Sequence, residues 1–264
     1  MPTRPAIRAA ALALSALVLP ALLLPAPAGA APVAVLNPGF EAEVHGPNSF
    51  TFGPPTGWDG YNLDAVTGET VGTLNPALSS YFAPGQHAGA NVGIAYMDAG
   101  GTAGVAFGLQ QTLAAVLEAD RLYRLSVAIG NIASGSSDLG GGPVFFDLDG
   151  FPGYRVELLA GTTVLASDDN GLAGSIPEAE FRPSVLAYDS RGAAPGLLGQ
   201  ALTIRLVNLN LVDAAAPGAH REVDFDAVAL DAVAVPLPAP LGLAVLGLAA
   251  LAALAGLGMR RAAG

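Results

Sequence analysis

Apolar and polar residues alternate with a period of two in several short stretches of this chain. Tyr123, Leu125, Val127 and Ile129 alternate with Arg124, Ser126 and Ala128. Leu202, Ile204 and Leu206 repeat the pattern, as do Val105, Phe107 and Leu109. A strand sends successive side chains to opposite faces, so each stretch predicts a strand with one buried face. Further strands are predicted over 33–41, 91–97, 185–188 and 222–230, and over 154–159 and 162–167, which flank a two-residue hairpin signal at Ala160 and Gly161. Residues 59–90 and 131–153 are rich in Gly, Ser, Asn and Pro and are predicted to be mostly loop, the second segment long and mobile. Eight to ten short strands separated by turn signals predict an all-β fold, two packed antiparallel sheets of the jelly-roll type.

Both ends break this pattern. Arg4 and Arg8 precede an apolar run from Ala9 to Leu24, and Ala28, Gly29 and Ala30 supply small residues at a cleavage site. Residues 1–30 therefore read as a secretory signal peptide. At the other end, Leu241 to Met259 is an uninterrupted apolar stretch followed by Arg260 and Arg261. As a helix it would extend about 28 Å, enough for a bilayer core. The arginines mark its cytoplasmic side. The expected organisation is a signal peptide over 1–30, a β-sandwich domain over 31–233 and a tail over 234–264 that carries a transmembrane helix, 241–259.

Val235, Pro236, Leu237, Pro238 and Ala239, with the span and the terminal Arg260 and Arg261, resemble the sorting tail of exosortase substrates, the VPLPA-CTERM branch of the PEP-CTERM family. That resemblance implies recognition by a membrane-embedded, exosortase-type processing enzyme, after passage through export machinery and signal peptidase. A second resemblance rests on Asn37, Phe40 and Glu41, on Pro55, Gly57 and Trp58, and on Asp224, Phe225, Asp226 and Val228. These look like the N- and C-terminal motifs of galactose-binding-like jelly rolls, which include many carbohydrate-binding modules. It implies one structural Ca2+, with Glu41 and Asp226 as side-chain ligands. Ala227 departs from the family pattern, where an acidic or amide residue is common.

Charge sharpens the picture. All 22 acids lie in the body against seven of the 11 arginines, a net charge of −15 there. Such a body does not attract nucleic acid. With no lysine and no cysteine, Schiff-base and disulfide chemistry are out of reach. Trp58, Tyr61, Tyr81 and Phe82 are candidates for stacking on sugar rings, although a lone Trp in this position is more often core; Tyr61 and Tyr81 are expected to be exposed. Asp147, Asp149 and Gly150 open like a calcium loop but lack its distal glutamate. His45, His87 and His220 are far apart in loop-like sequence and form no recognised catalytic motif.

The resulting expectation is a non-enzymatic exported protein. It would be anchored in the inner membrane by its C-terminal helix, and after processing would sit at the cell surface or in the matrix with extracellular polysaccharide. A dedicated carbohydrate-binding module is the alternative. A secreted hydrolase is the third reading and requires two carboxylates about 5 to 10 Å apart in a cleft.

Overall fold

A computed structural model describes residues 30–138 and 141–235. The signal-peptide segment up to residue 29 lies outside the described residues. So do Pro236, Leu237, Pro238, Ala239, Arg260 and Arg261 of the sorting motif and the 241–259 stretch. Val235 is described; its amide donates to the Asp120 carbonyl. No helix among the described residues is long and apolar enough to cross a membrane.

Fourteen strands, β1 to β14 in chain order, fill the described residues. The larger sheet runs β12 (Glu180–Asp189), β7 (Arg121–Asn131), β14 (Arg221–Ala234), β5 (Val92–Met97), β4 (Glu69–Asn75), β2 (Ser49–Phe52), with β1 (Ala31–Val33) also paired to β14. The smaller sheet runs β11 (Thr163–Asp169), β10 (Tyr154–Ala160), β13 (Ala201–Asn208), β6 (Phe107–Val116), β3 (Asp59–Tyr61). A hairpin of β8 (Gly135–Asp138) and β9 (Pro143–Phe146) stands apart from both. Every pairing is antiparallel. The all-β sandwich expected from the alternation is the fold observed.

The main core lies between the two sheets. Tyr123, Leu125, Val127 and Ile129 of β7 meet Leu202, Ile204 and Leu206 of β13, as the alternation requires. Phe40 stacks on Trp58 with ring centroids 5.4 Å apart, and the Trp58 indole N–H donates to the Asn37 carbonyl at 3.2 Å. Burying such aromatics contributes on the order of 2 kcal/mol each before entropy is counted. On β14 the inward residues are Val223 and Phe225, then Val228 and Leu230. The parity changes because the register shifts between Asp226 and Ala229, where Ala227 has φ 50°. This bulge lets one strand serve the core along its whole length. It also turns Glu222 and Asp224 to the outer face of the larger sheet, opposite Val223 and Phe225.

Two loop expectations are corrected. Residues 59–90 contain β3 and β4, and 131–153 contain the β8–β9 hairpin. Ser134 ties the base of that hairpin: its hydroxyl donates to Asp149 Oδ1 at 2.6 Å and accepts from the Leu148 amide at 2.8 Å. β3 (Asp-Gly-Tyr) and β8 (Gly-Ser-Ser-Asp) carry no apolar alternation, so their pairing partners create them.

Candidate active site

The outer face of the larger sheet is apolar, which a single sandwich core does not need. Leu74 of β4, Val92 and Ile94 of β5 and Phe181 of β12 form a second buried cluster with Tyr81, Phe82, Ile132 and Leu148 from the covering loops. Between this face and the β8–β9 hairpin lies a cavity of about 400 Å3. Phe50, Phe52, Leu74, Tyr81, Ile94, Tyr96, Ile132, Phe146 and Leu148 form its aromatic and aliphatic wall. Its polar lining includes Glu69, Thr70, Asp98 and Glu222. The size and the mix of apolar wall with few convergent polar groups suit a small organic ligand.

Glu222 is the buried acid of this cavity, 7% exposed, and Asp224 two residues on is wholly buried. Removal from water pushes the Glu222 carboxyl up to about 8. Burial, then the nearby Glu222 charge, holds Asp224 well above the ordinary carboxylate range. No main-chain N–H or hydroxyl among the described residues reaches either Asp224 oxygen. The group that faces them is the Glu222 carboxyl, and a proton held between the two acids satisfies both. Burial thus favours the protonated form of the pair.

Two tyrosines flank it. Tyr96 pairs in register with Glu222 across β5 and β14. Its hydroxyl lies 2.6 Å from His220 Nδ1 and 2.8 Å from Asp98 Oδ1. Tyr81 lies 2.8 Å from the Ser137 hydroxyl, which donates to Asn48 Oδ1, so the Tyr81 proton points to Ser137. Burial raises both phenols above their ordinary value. Phe146 closes the group edge-on to Phe50 and Tyr96, with centroids 6.0 and 6.4 Å away.

The aromatic residues expected to stack on sugars do not form one platform. Trp58 belongs to the inter-sheet core, 4% exposed. Tyr61 lies on the smaller sheet, with the Arg205 guanidinium 4.6 Å above its ring. Tyr81 and Phe82 are buried, which corrects the expected exposure of Tyr81; Phe82 packs on Phe181 at 4.6 Å. Tyr81 alone of the four faces the cavity. Glu41 and Asp226 do come together. Glu41 Oε1 accepts from the Ala90 and Asn91 amides, and Asp226 Oδ2 accepts from Ala88. Both thus clamp the loop before β5. No group of three potential metal ligands occurs among the described residues.

Glu222, Tyr96, His220 and Phe146 were not singled out as site residues. The one local signal was on β14, where Glu222, Asp224 and Asp226 alternate with Val223 and Phe225. That spacing places three acids on one strand face. His220 appeared isolated in sequence, but β14 delivers it onto Tyr96, ring on ring at 5.4 Å.

Comparison with known proteins is specific. Residues 31–231 match the profile of a family described as HpiC1-like, HpiC1 cyclase. The Stig cyclase Fisc from Fischerella sp. TAU, solved with (3Z)-3-(1-methyl-2-pyrrolidinylidene)-3H-indole, is 35% identical over 79% of this chain and 100% of that chain, with a TM-score of 0.62. A cyclase from Fischerella sp. TAU in complex with 4-(1H-indol-3-yl)butan-2-one is 34% identical over 78% and 100%, with a TM-score of 0.59. An apo cyclase from Fischerella sp. is 32% identical over 79% and 98%, with a TM-score of 0.60. Among curated protein sequences there is no match. These findings overturn the expectation of a non-enzymatic, exosortase-sorted surface protein with a galactose-binding-like carbohydrate module. They point to small-molecule chemistry in place of exosortase, export machinery and extracellular polysaccharide as partners.

Proposed function

The chain belongs to the HpiC1-like cyclase family, and from that premise we propose that it closes a ring within an indole-bearing small molecule, with Glu222 as the proton donor that starts the reaction. The observation that carries this reading is a buried carboxyl, Glu222, set in the wall of an aromatic cavity next to a second wholly buried acid, Asp224. The indole ligands of the Fischerella cyclases supply the substrate class.

The chemistry follows from the cavity. Glu222 gives its proton to an alkene carbon of the bound substrate; a C–H bond forms and the π electrons leave a cation on the neighbouring carbon. The electron-rich indole attacks that cation and a C–C bond closes the ring. Loss of a proton restores a neutral product, so the reaction is an isomerisation and consumes no co-substrate. The faces of Phe50, Tyr81, Tyr96 and Phe146 stabilise the passing cation through their quadrupoles, each by about 0.5–2 kcal/mol. The apolar wall keeps water from capturing it. General acid catalysis of this kind contributes on the order of 100- to 10,000-fold.

Glu41 and Asp226 serve the scaffold in this proposal. With main-chain carbonyls they would hold one structural Ca2+, a cation that prefers oxygen donors. The donor chemistry fits: two carboxylates, Glu41 and Asp226, clamp the same loop, and the side-chain oxygen of Asn91 in that loop is buried without a partner. The ion would fix the loop before β5 to the bulge of β14 and leave proton transfer to Glu222.

The family match begins at residue 31, directly after the expected cleavage site, which supports a mature body over 31–233. The test of the activity is incubation of the purified protein with an indole carrying an alkenyl chain at C3, followed by product analysis. Ring-closed isomers that vanish with Glu222→Gln support the reading; ring closure unaffected by that substitution refutes it.

A further inference from the structure

Resting on that reading, we propose that Tyr96 and His220 form the base side of the reaction: Tyr96 takes the proton from the ring-closed cation while its own phenolic proton passes to His220.

Tyr96 reaches the cavity from β5, in register with Glu222 on the adjacent β14. Acid and phenol thus stand side by side on one sheet face, so a substrate protonated by one lies within reach of the other. The phenol carries one hydrogen and has two acceptors, His220 Nδ1 at 2.6 Å and Asp98 Oδ1 at 2.8 Å. The Ala99 amide donates to His220 Nδ1 at 3.2 Å. That contact makes Nδ1 the unprotonated ring nitrogen, an acceptor aimed at Tyr96. The imidazole is held in place by its stacking on Tyr96, by the Phe146 ring 6.1 Å away and by its own amide, which donates to the Asp147 carbonyl at 2.8 Å. Asp98 Oδ1 lies 3.6 Å from Nδ1, placed to face the imidazolium once it forms.

A bare phenolate is not the base, because burial and the Asp98 contact both hold the Tyr96 proton on. The proton has to leave the phenol as another arrives. In the closing step a C–H bond of the cation breaks and its electrons re-form a π bond. The proton goes to the Tyr96 oxygen, and the former phenolic proton goes to Nδ1. Glu222 is then a carboxylate and His220 an imidazolium; exchange with solvent resets both, and no net proton is consumed. His220 is outside the cavity lining and acts through Tyr96, so it is a positioning residue with a proton-accepting task.

The test uses the full chain and an indole with an alkenyl chain at C3, comparing Tyr96→Phe, His220→Asn and Glu222→Gln. His220→Asn retains an acceptor for Tyr96 but cannot be protonated. The expected result for His220→Asn is a fall in kcat on the order of 100-fold with KM changed less than about twofold. For both base-side variants the product mixture shifts toward water-captured material or toward alkenes that lost a different proton. Unchanged melting temperatures show that the fold is kept; should His220→Asn melt early, Asp98→Asn reads the same step from the exposed side. If both base-side variants keep the wild-type rate and product ratio while Glu222→Gln is dead, the base assignment is overturned and the acid assignment stands. If Glu222→Gln also turns over normally, both fall.

Discussion

Gly130 of β7 stands directly opposite Asp224 of β14, and a β-carbon on Gly130 would come within 2.9 Å of the Asp224 β-carbon. The same atom would meet the Phe181 ring at 2.6 Å. The glycine is required by closeness: a buried carboxyl and a phenyl ring share the space that its missing side chain leaves. Gly130→Ala should therefore destabilise the protein by about 1–3 kcal/mol through overpacking. Denaturant unfolding would measure this, and an unchanged midpoint would contradict the contact.

The second expectation concerns the acid itself. Glu222→Gln preserves shape but cannot donate a carboxyl proton, so ring closure should fall by on the order of 100-fold or more with the fold retained. In the wild type, burial holds the carboxyl up to about 8, so it is protonated below that pH. Activity should be flat through neutrality and decline as pH rises past about 8. A rate that rises across that range would rule out the protonated form as the active one.

Stability should follow pH with the same sign. Burial raises both Glu222 and Asp224 above their unfolded values, so the native state keeps protons that the unfolded chain releases. That contribution is fully present below the ordinary carboxylate range and is lost as pH climbs, through about 8 for Glu222. The slope is about 1.4 kcal/mol per pH unit for each group while it lasts. Urea midpoints measured between pH 5 and 9 should fall (a window set by those pKa shifts, with about as much margin on either side), and Glu222→Gln should flatten the curve.

Phe146 couples the hairpin to the sheet through Phe50, Tyr96 and His220. Phe146→Ala should weaken binding of an indole ligand by roughly 1–2 kcal/mol, about a tenfold change in Kd. Titration calorimetry with 4-(1H-indol-3-yl)butan-2-one checks it. Since the hairpin is built from β8 and β9 alone, global stability should change little.

Calcium should raise the melting temperature relative to chelator-treated protein, because a ligand bound only to the folded state stabilises it by mass action. Glu41→Ala should abolish the difference. Equal melting with calcium and with chelator would leave Glu41 and Asp226 as a hydrogen-bonded clamp on the loop before β5.

The sandwich was legible in the chain because alternation is a local property. Residues 123–129 and 202–206 carry their own inside and outside, whatever they pair with. Residue type alone favoured a core position for the lone Trp58, and it does lie against Phe40. Glu41 and Asp226 could be placed together from terminal motifs. Tyr81 was misjudged as exposed because its neighbours are Ser, Pro and Gly, which describe the loop and say nothing of what covers it.

What the sequence determined by itself is the period of the alternating strands such as β7 and β13, hence a sandwich, and the acidic face of β14. The tertiary structure alone decided that this face is buried. Glu222, Tyr96, Phe146 and His220 come from three strands and a loop, and only sheet pairing and the hairpin's return bring them to one cavity. Removal from water, a consequence of that packing, is what turns an ordinary surface carboxylate into a proton donor.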